Sequence, residues 1–311
     1  MWRLFHFTSK RQSLTHSRMS LKIWLKTQQE AVDSALDQIL PSGDTRPATI
    51  HQAMRYSMFA GGKRLRPILC LAAAEACSGE EESALFPACA VEVMHTYSLV
   101  HDDLPSMDDD DLRRGRPTSH VVYGEGIAVL TGDALLTEAF TIIAQTPSTE
   151  RYNARDYVLE LSETGGSKKL IGGQVLDLEG EGKELNQEQL VHIHEAKTAA
   201  LLCSSLRLGG MSANCTAEQL QALTDFGYNL GLAYQVIDDI LDVTQTTEQL
   251  GKTAGKDESV DKSTYPAILG LEESKVEAAR LTTLALDALK PLGEKAARLE
   301  QIARHMLERK F

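Results

Sequence analysis

The run Leu99-Val-His-Asp-Asp-Leu-Pro-Ser-Met-Asp-Asp-Asp-Asp-Leu-Arg-Arg-Gly-Arg116 constrains this chain more than any other segment. Six aspartates and three arginines fall within eighteen residues, so the segment cannot be ordinary buried core. Carboxylates crowded together raise one another's pKa unless a cation neutralises them. Oxygen donors of this kind suit Mg²⁺, which takes one or two carboxylates and fills the rest of its shell with water and substrate phosphate. The arginines that follow suit the phosphate itself, because guanidinium forks match its oxygens. Metal-bridged diphosphate binding is the first functional expectation.

A second acidic cluster strengthens it. Ala233-Tyr-Gln-Val-Ile-Asp-Asp-Ile-Leu-Asp-Val243 carries Asp238, Asp239 and Asp242 between apolar flanks with no helix breaker. On a helix Asp238 and Asp242 share one face, one turn apart, and like charges there weaken an isolated helix. A single such motif would read as a solvated helix face. Here the apolar residues before it describe a pocket wall with an acidic rim, and Tyr97-Ser-Leu-Val-His-Asp-Asp103 has the same pattern. Two apolar helices ending in Asp pairs can grip Mg²⁺ between them.

Helix-forming residues dominate the chain, and Glu188–Leu208, Ala217–Val243 and Val276–Arg309 lack proline apart from Pro291. Alternating strand-type segments are scarce, so the fold class is all-α. With 311 residues and 42% hydrophobic content, a large single core is within reach. The net charge of −12 argues against nucleic-acid binding, and no membrane span is expected. Cys70, Cys77, Cys89, Cys203 and Cys215 lie in apolar stretches without a CxxC pair. They read as small buried residues of a reducing, cytoplasmic compartment.

Residues 1–18 carry Arg3, Lys10, Arg11 and Arg18, several Ser and Thr, and no acidic residue. They are expected to be an extension outside the fold, disordered or preceding an internal start at Met19, with a transit peptide as the alternative. The remaining domain is residues 19–311. The Gly-, Lys- and Asp-rich stretch from Glu248 to Ser263 is expected to act as a lid over substrate.

The two Asp motifs, together with Gly61-Gly-Lys-Arg-Leu-Arg-Pro67, Lys197-Thr198, Gln235 and Gly251-Lys252 in that order, resemble the trans-isoprenyl diphosphate synthases. Within them the likeness is to bacterial-type farnesyl diphosphate synthases, over roughly residues 25–311. The resemblance implies a single-domain isoprenoid-synthase-type helical bundle around a central cavity, working as a homodimer. It implies Mg²⁺-dependent head-to-tail condensation of isopentenyl diphosphate with dimethylallyl and then geranyl diphosphate, to give farnesyl diphosphate. Geranylgeranyl diphosphate synthase is the nearest alternative. A regulatory subunit is a weaker one, since such subunits usually lose one Asp motif. A class I terpene cyclase is disfavoured by the second Asp motif and the basic motif.

Carried over residue by residue, the resemblance makes Asp102, Asp103, Asp108, Asp238 and Asp242 the holders of three Mg²⁺ ions, with Asp239 acting behind them. Arg113 would contact the allylic diphosphate, and Lys197, Thr198, Gln235, Lys252 and Lys262 would surround the leaving group. Lys63, Arg66, His95 and Arg114 would bind isopentenyl diphosphate, with Gly61-Gly62 setting the basic cluster at a helix start, where amides favour anions. Asp109 to Asp111 would balance the local arginines. The departing diphosphate would take the final proton. If the product runs down the helix from Asp102, Tyr97 lies about 7.5 Å along the axis at 1.5 Å per residue, with Ser98 beside it. An aromatic at this place resembles C15 synthases, whereas plant-type C20 synthases have a smaller or unbranched residue.

Overall fold

The structure is a computed structural model that describes residues 20–244 and 263–307. The expected extension at 1–18, the lid residues from Glu248 to Lys262, and with them Lys252 and Lys262, lie outside the described residues. Within them the chain is all-α: α1 (Leu21–Ile39), α2 (Ala48–Met58), α3 (Leu65–Ala76), α4 (Leu85–Asp102), α5 (Ser119–Tyr123), α6 (Glu125–Ile143), α7 (Ala154–Gly165), α8 (Leu170–Gly180), α9 (Gln187–His194), α10 (Ala200–Ser212) and α11 (Ala217–Thr244), then α12 (Tyr265–Leu269), α13 (Leu271–Ala288) and α14 (Ala297–Leu307). A two-residue antiparallel ladder, β1 (Leu112–Arg113) with β2 (Arg116–Pro117), folds the arginine end of the first Asp run.

A helix that is apolar all round belongs inside. α10 fits that description, with 12 of its 13 residues buried, and α4 comes close, with 12 of its 18. α3 packs along α10 because Gly209 presents no side chain: a Cβ there would stand 2.0 Å from the Cys70 carbonyl oxygen. α10 lies between α4 and α11, α6 runs along α4, and α13 along α11. α7 and α9 start at capping boxes, Asn153 with Asp156 and Asn186 with Gln189, which satisfy amides that the first turn leaves open. The long helix expected over Val276–Arg309 is interrupted. Lys290–Ala296 forms a tighter turn containing Pro291, and Gly293 takes φ +60°, so α13 and α14 are separate elements.

Trp24 on α1 is 1% exposed and lies under the Arg298 guanidinium of α14, 4.9 Å from ring centre, which ties the two ends of the described chain together. α6 has the length and hydropathy of a membrane span, contrary to the sequence expectation that no stretch qualifies. It nevertheless carries Glu125, Asp133 and Glu138 and packs on α4 as part of the bundle.

Candidate active site

Asp102 is the last residue of α4 and Asp103 its C-cap. The chain then turns back, and the Asp108 amide donates to the Asp102 carbonyl at 2.9 Å, which sets both aspartates at one mouth. A helix C-terminus carries partial negative charge, so carboxylates placed there are unfavourable without a cation. Burial, reinforced by Asp108 and Asp103 and opposed by Lys197, pushes the Asp102 carboxyl up to about 6.

Asp103, 4% exposed, accepts from Arg113 Nε at 2.6 Å and pairs with its Nη2 at 2.5 Å. Burial raises its carboxyl despite that partner. Thus the structure joins the residue expected to hold metal to the residue expected to hold diphosphate. Both contacts fall on Asp103 Oδ1. Of the outer aspartates, Asp110 stands 3.8 Å from Arg113, and Asp111 stands 3.9 Å from His120 rather than from an arginine.

The second cluster occupies the last two turns of α11. Gln235, Asp238 and Asp242 follow at helical spacing on one face, whereas Asp239 points elsewhere: its Oδ2 accepts from the Tyr265 amide at 3.0 Å and anchors the start of α12. One turn before Asp238, Tyr234 lines the same cavity as His95 of α4, so the two Asp-bearing helices present side chains to a common space.

Lys197 and Thr198 sit in a π-helical turn, Glu195–Ala199, between α9 and α10. Such wide turns gather at functional sites, and this one is gripped from two sides. A Cβ on Gly173 of α8 would lie 2.4 Å from the Lys197 nitrogen, and one on Gly231 of α11 would lie 2.6 Å from Ala199 Cα. The close approach of α8 brings Asp177 Oδ2 to 2.5 Å from Lys197 Nζ. Sequence reasoning missed Asp177. The available signal was Gln174-Val-Leu-Asp177, an amide and a carboxylate three residues apart on one face of a mostly apolar helix.

Two cavities meet beneath these groups. The first, about 610 Å³, is largely apolar, and Tyr97, Ser98, Asp102, Leu136, Ile171, Val175, Lys197 and Thr198 line it. The second, about 590 Å³, is basic, lined by Gly61, Gly62, Lys63, Arg66, His95, Arg114 and Tyr234. Arg66 and His95 border both. The Nε of Arg66 is buried and makes no hydrogen bond, and burial lowers the guanidinium pKa. His95 is lowered well below the ordinary range by burial and then by Arg66 and Arg114. Its place in the wall of the basic cavity, beside Arg66 and Arg114, is where the sequence put it, and those arginines add to the burial that lowers it.

Backbone geometry builds the basic wall. Gly62 adopts φ +124°, and a Cβ there would come within 2.3 Å of Arg114 Nη1. Arg114, itself at φ +55°, donates to the Gly61 carbonyl. Lys63 is exposed at the rim. Arg64, in the midst of the basic motif, also borders this cavity, as does Glu92. Its guanidinium is spent on Asp33 (2.8 Å), Glu92 (2.9 Å) and the Met58 carbonyl (2.7 Å).

Among the described residues no three carboxylate, His or Cys groups converge into a preformed metal cage. The donor set nonetheless fits Mg²⁺. It consists of hard carboxylate oxygens in pairs at helix C-termini, and Mg²⁺ keeps water and substrate phosphate for the rest of its shell. The raised Asp102 carboxyl marks a deficit of positive charge that a divalent cation would fill.

Comparison with known proteins places the chain in a family. Residues 47–304 match the family profile described as polyprenyl synthetase. The large subunit 1 of the heterodimeric chloroplastic geranylgeranyl pyrophosphate synthase of Arabidopsis thaliana is 49% identical, over 86% of this chain and 73% of its own length. The chloroplastic geranylgeranyl pyrophosphate synthase of Capsicum annuum is 47% identical over 95% of this chain and 80% of its own. An apo crystal structure of an FPP/GFPP synthase from Zymomonas mobilis superposes with a TM-score of 0.80 at 31% identity, covering 92% of this chain and 98% of that one. With the Asp-bearing helices, the basic turn and the paired cavities in their places, the chain belongs to the polyprenyl synthetase family of trans-isoprenyl diphosphate synthases.

Proposed function

We propose that this prenyltransferase adds isopentenyl diphosphate to allylic diphosphates, beginning with dimethylallyl and continuing through geranyl diphosphate, to give geranylgeranyl diphosphate. The observation that carries the reaction is the pair of adjoining cavities, one apolar beneath Asp102 and one basic, with Arg66 and His95 in the shared wall. Two diphosphates bound there would have their reacting ends side by side, which replaces a bimolecular encounter by proximity. The C20 product is supported by the names of the relatives at 47–49% identity.

In this reading Asp102, Asp108, Asp238 and Asp242 would hold Mg²⁺, with Asp103 joining when Arg113 turns to the diphosphate. The metal would supply Lewis-acid stabilisation of the departing diphosphate. Lys197 and Thr198 lie beside the bond that breaks, and the Lys197 ammonium and Thr198 hydroxyl stabilise the charge that develops. Asp177 keeps Lys197 aimed there. Gln235 serves from α11 on the same face as Asp238. The allylic C–O bond breaks, the double bond of isopentenyl diphosphate attacks the carbocation, and the released diphosphate accepts the proton. Lys63, Arg66, His95 and Arg114 bind isopentenyl diphosphate.

A second reading, farnesyl diphosphate, is favoured by one observation: the Tyr97 ring, 5% exposed, stands in the wall of the apolar cavity, with Ser98 beside it. Homodimer formation and cytoplasmic location belong to the proposal. Val121, Val122, Val129 and Leu130, 41–55% exposed, leave α5 and α6 an apolar outer face, and five buried free thiols fit a reducing compartment. The test is incubation of the full chain with dimethylallyl and isopentenyl diphosphates, with and without Mg²⁺. A Mg²⁺-dependent C20 product supports the proposal. A C15 product moves it to the second reading, and no prenyl product rejects both.

A further inference from the structure

His101 precedes the first metal-site aspartate, and its ring, in the wall of the apolar cavity, reaches toward α6. Its Nε2 lies 2.9 Å from the Val129 carbonyl oxygen. A carbonyl only accepts, so Nε2 carries the proton. Asp133 Oδ1, 4.0 Å from the same nitrogen, favours that tautomer. The ring fits against the α6 backbone because residue 132 is glycine: a Cβ there would stand 2.0 Å from Nε2 and 2.2 Å from Cδ2. On its other side the imidazole meets the Tyr97 ring edge-to-face, with centroids 5.7 Å apart and planes at 88°.

The contact follows from helix geometry. Residues four apart on α4 are neighbours, and side chains on a helix lean toward its N-terminus, so His101 leans over Tyr97. Both rings line the apolar cavity. Tyr97 therefore has the imidazole behind it, and the imidazole has the α6 backbone behind it.

We infer that His101, seated in the notch at Gly132, is a positioning residue that holds the Tyr97 ring in the cavity wall and so sets how far the prenyl chain grows. This rests on the reading of the cavity as the site of chain elongation, and it holds for either product length. Its two ends give opposite signs. His101→Ala empties the space behind Tyr97, lets the ring swing back, and widens the cavity. Gly132→Ala places a methyl group where the imidazole lies, drives the imidazole toward Tyr97, and narrows the cavity.

The experiment measures product length from wild type, H101A, G132A and the double variant H101A/G132A, with dimethylallyl and isopentenyl diphosphates and Mg²⁺. H101A is expected to raise the share of product one isoprene unit longer than wild type by about tenfold, the effect of about 1.4 kcal/mol on the partition between release and another addition. G132A is expected to raise the share one unit shorter. In the double variant the shortening disappears, because the methyl group has no ring to displace. H101N, which keeps a donor for the Val129 carbonyl but cannot back the Tyr97 ring, should lengthen the product as H101A does, and serves if H101A folds poorly. The KM for isopentenyl diphosphate, bound in the other cavity, distinguishes a shift in length from general damage and should move less than about threefold. Wild-type length in both H101N and G132A overturns the inference while leaving the proposed reaction intact. So does shortening by G132A that persists without His101. Absence of any prenyl product from the wild type overturns both.

Discussion

Asp102→Asn should make the protein more stable while removing its activity. The carboxyl of Asp102 is pushed from 3.8 to about 6 by burial and by Asp108 and Asp103. A carboxyl whose folded pKa lies above its unfolded value costs nothing below the unfolded value. Its cost to the fold builds up as pH rises from the unfolded value to the folded one and is constant above it. Across about two pKa units, at about 1.4 kcal/mol each, the cost at pH 7.5 is at most about 3 kcal/mol. The neutral amide has nearly the same shape and avoids it. The assay is thermal unfolding of both proteins in chelator-treated buffer from pH 4 to pH 7.5. For a chain of this size about 2 °C per kcal/mol is reasonable, so the variant should melt about 3–6 °C higher at pH 7.5, with the gap closing toward pH 4. Adding Mg²⁺ and diphosphate should raise the melting temperature of the wild type far more than that of the variant, since only the wild type keeps the full donor set. Equal melting temperatures at pH 7.5 without metal, or a gap independent of pH, would refute the idea that the carboxylates are held at an electrostatic cost.

Three further outcomes follow from the packing. Arg64→Met strands Glu92, whose side chain is 3% exposed, and should lower stability by about 3–5 kcal/mol in urea unfolding; the double variant with Glu92→Leu should recover much of it. Asp177→Asn removes the partner at 2.5 Å from Lys197 and should lower kcat for the allylic substrate by about 10- to 100-fold with an unchanged circular dichroism spectrum; near-normal kcat would show that Lys197 needs no aiming. Tyr97→Ala removes a ring from the cavity wall and should lengthen the product, read by chromatography of the dephosphorylated prenols; an unchanged product would deny the ring any part in termination.

The Asp clusters were legible because charge inside an apolar helical pattern has few explanations, and Gly61-Gly62 because paired glycines before a basic run imply a close backbone approach. The roles inside the basic motif were not. Nothing in Lys63-Arg64-Leu65-Arg66 says that Arg64 turns inward to Asp33 and Glu92, which lie 31 and 28 residues away, while Arg66 stays with its Nε unpartnered. The surroundings of His95 were equally hidden, since they combine burial with arginines from two other segments. Asp177 escaped notice because a lone aspartate in an apolar helix resembles an exposed one, and only the approach at Gly173 gives it a partner. Gly132 carries no local signal, for the ring that needs its missing side chain comes from another helix. What periodicity and clustering encode could be read ahead; what two distant segments make together could not.

The wall shared by the two cavities has a pharmacological consequence. Arg66 and His95 border both spaces, so a single molecule with an anionic head in each and an apolar tail in the larger one would occupy both substrate sites at once. Its second head would bind at the effective concentration set by a linker only a few bonds long, in the millimolar range or above. Such a bisubstrate ligand would owe its selectivity to the spacing of the two heads across the wall, a distance fixed by side chains on α3 and α4.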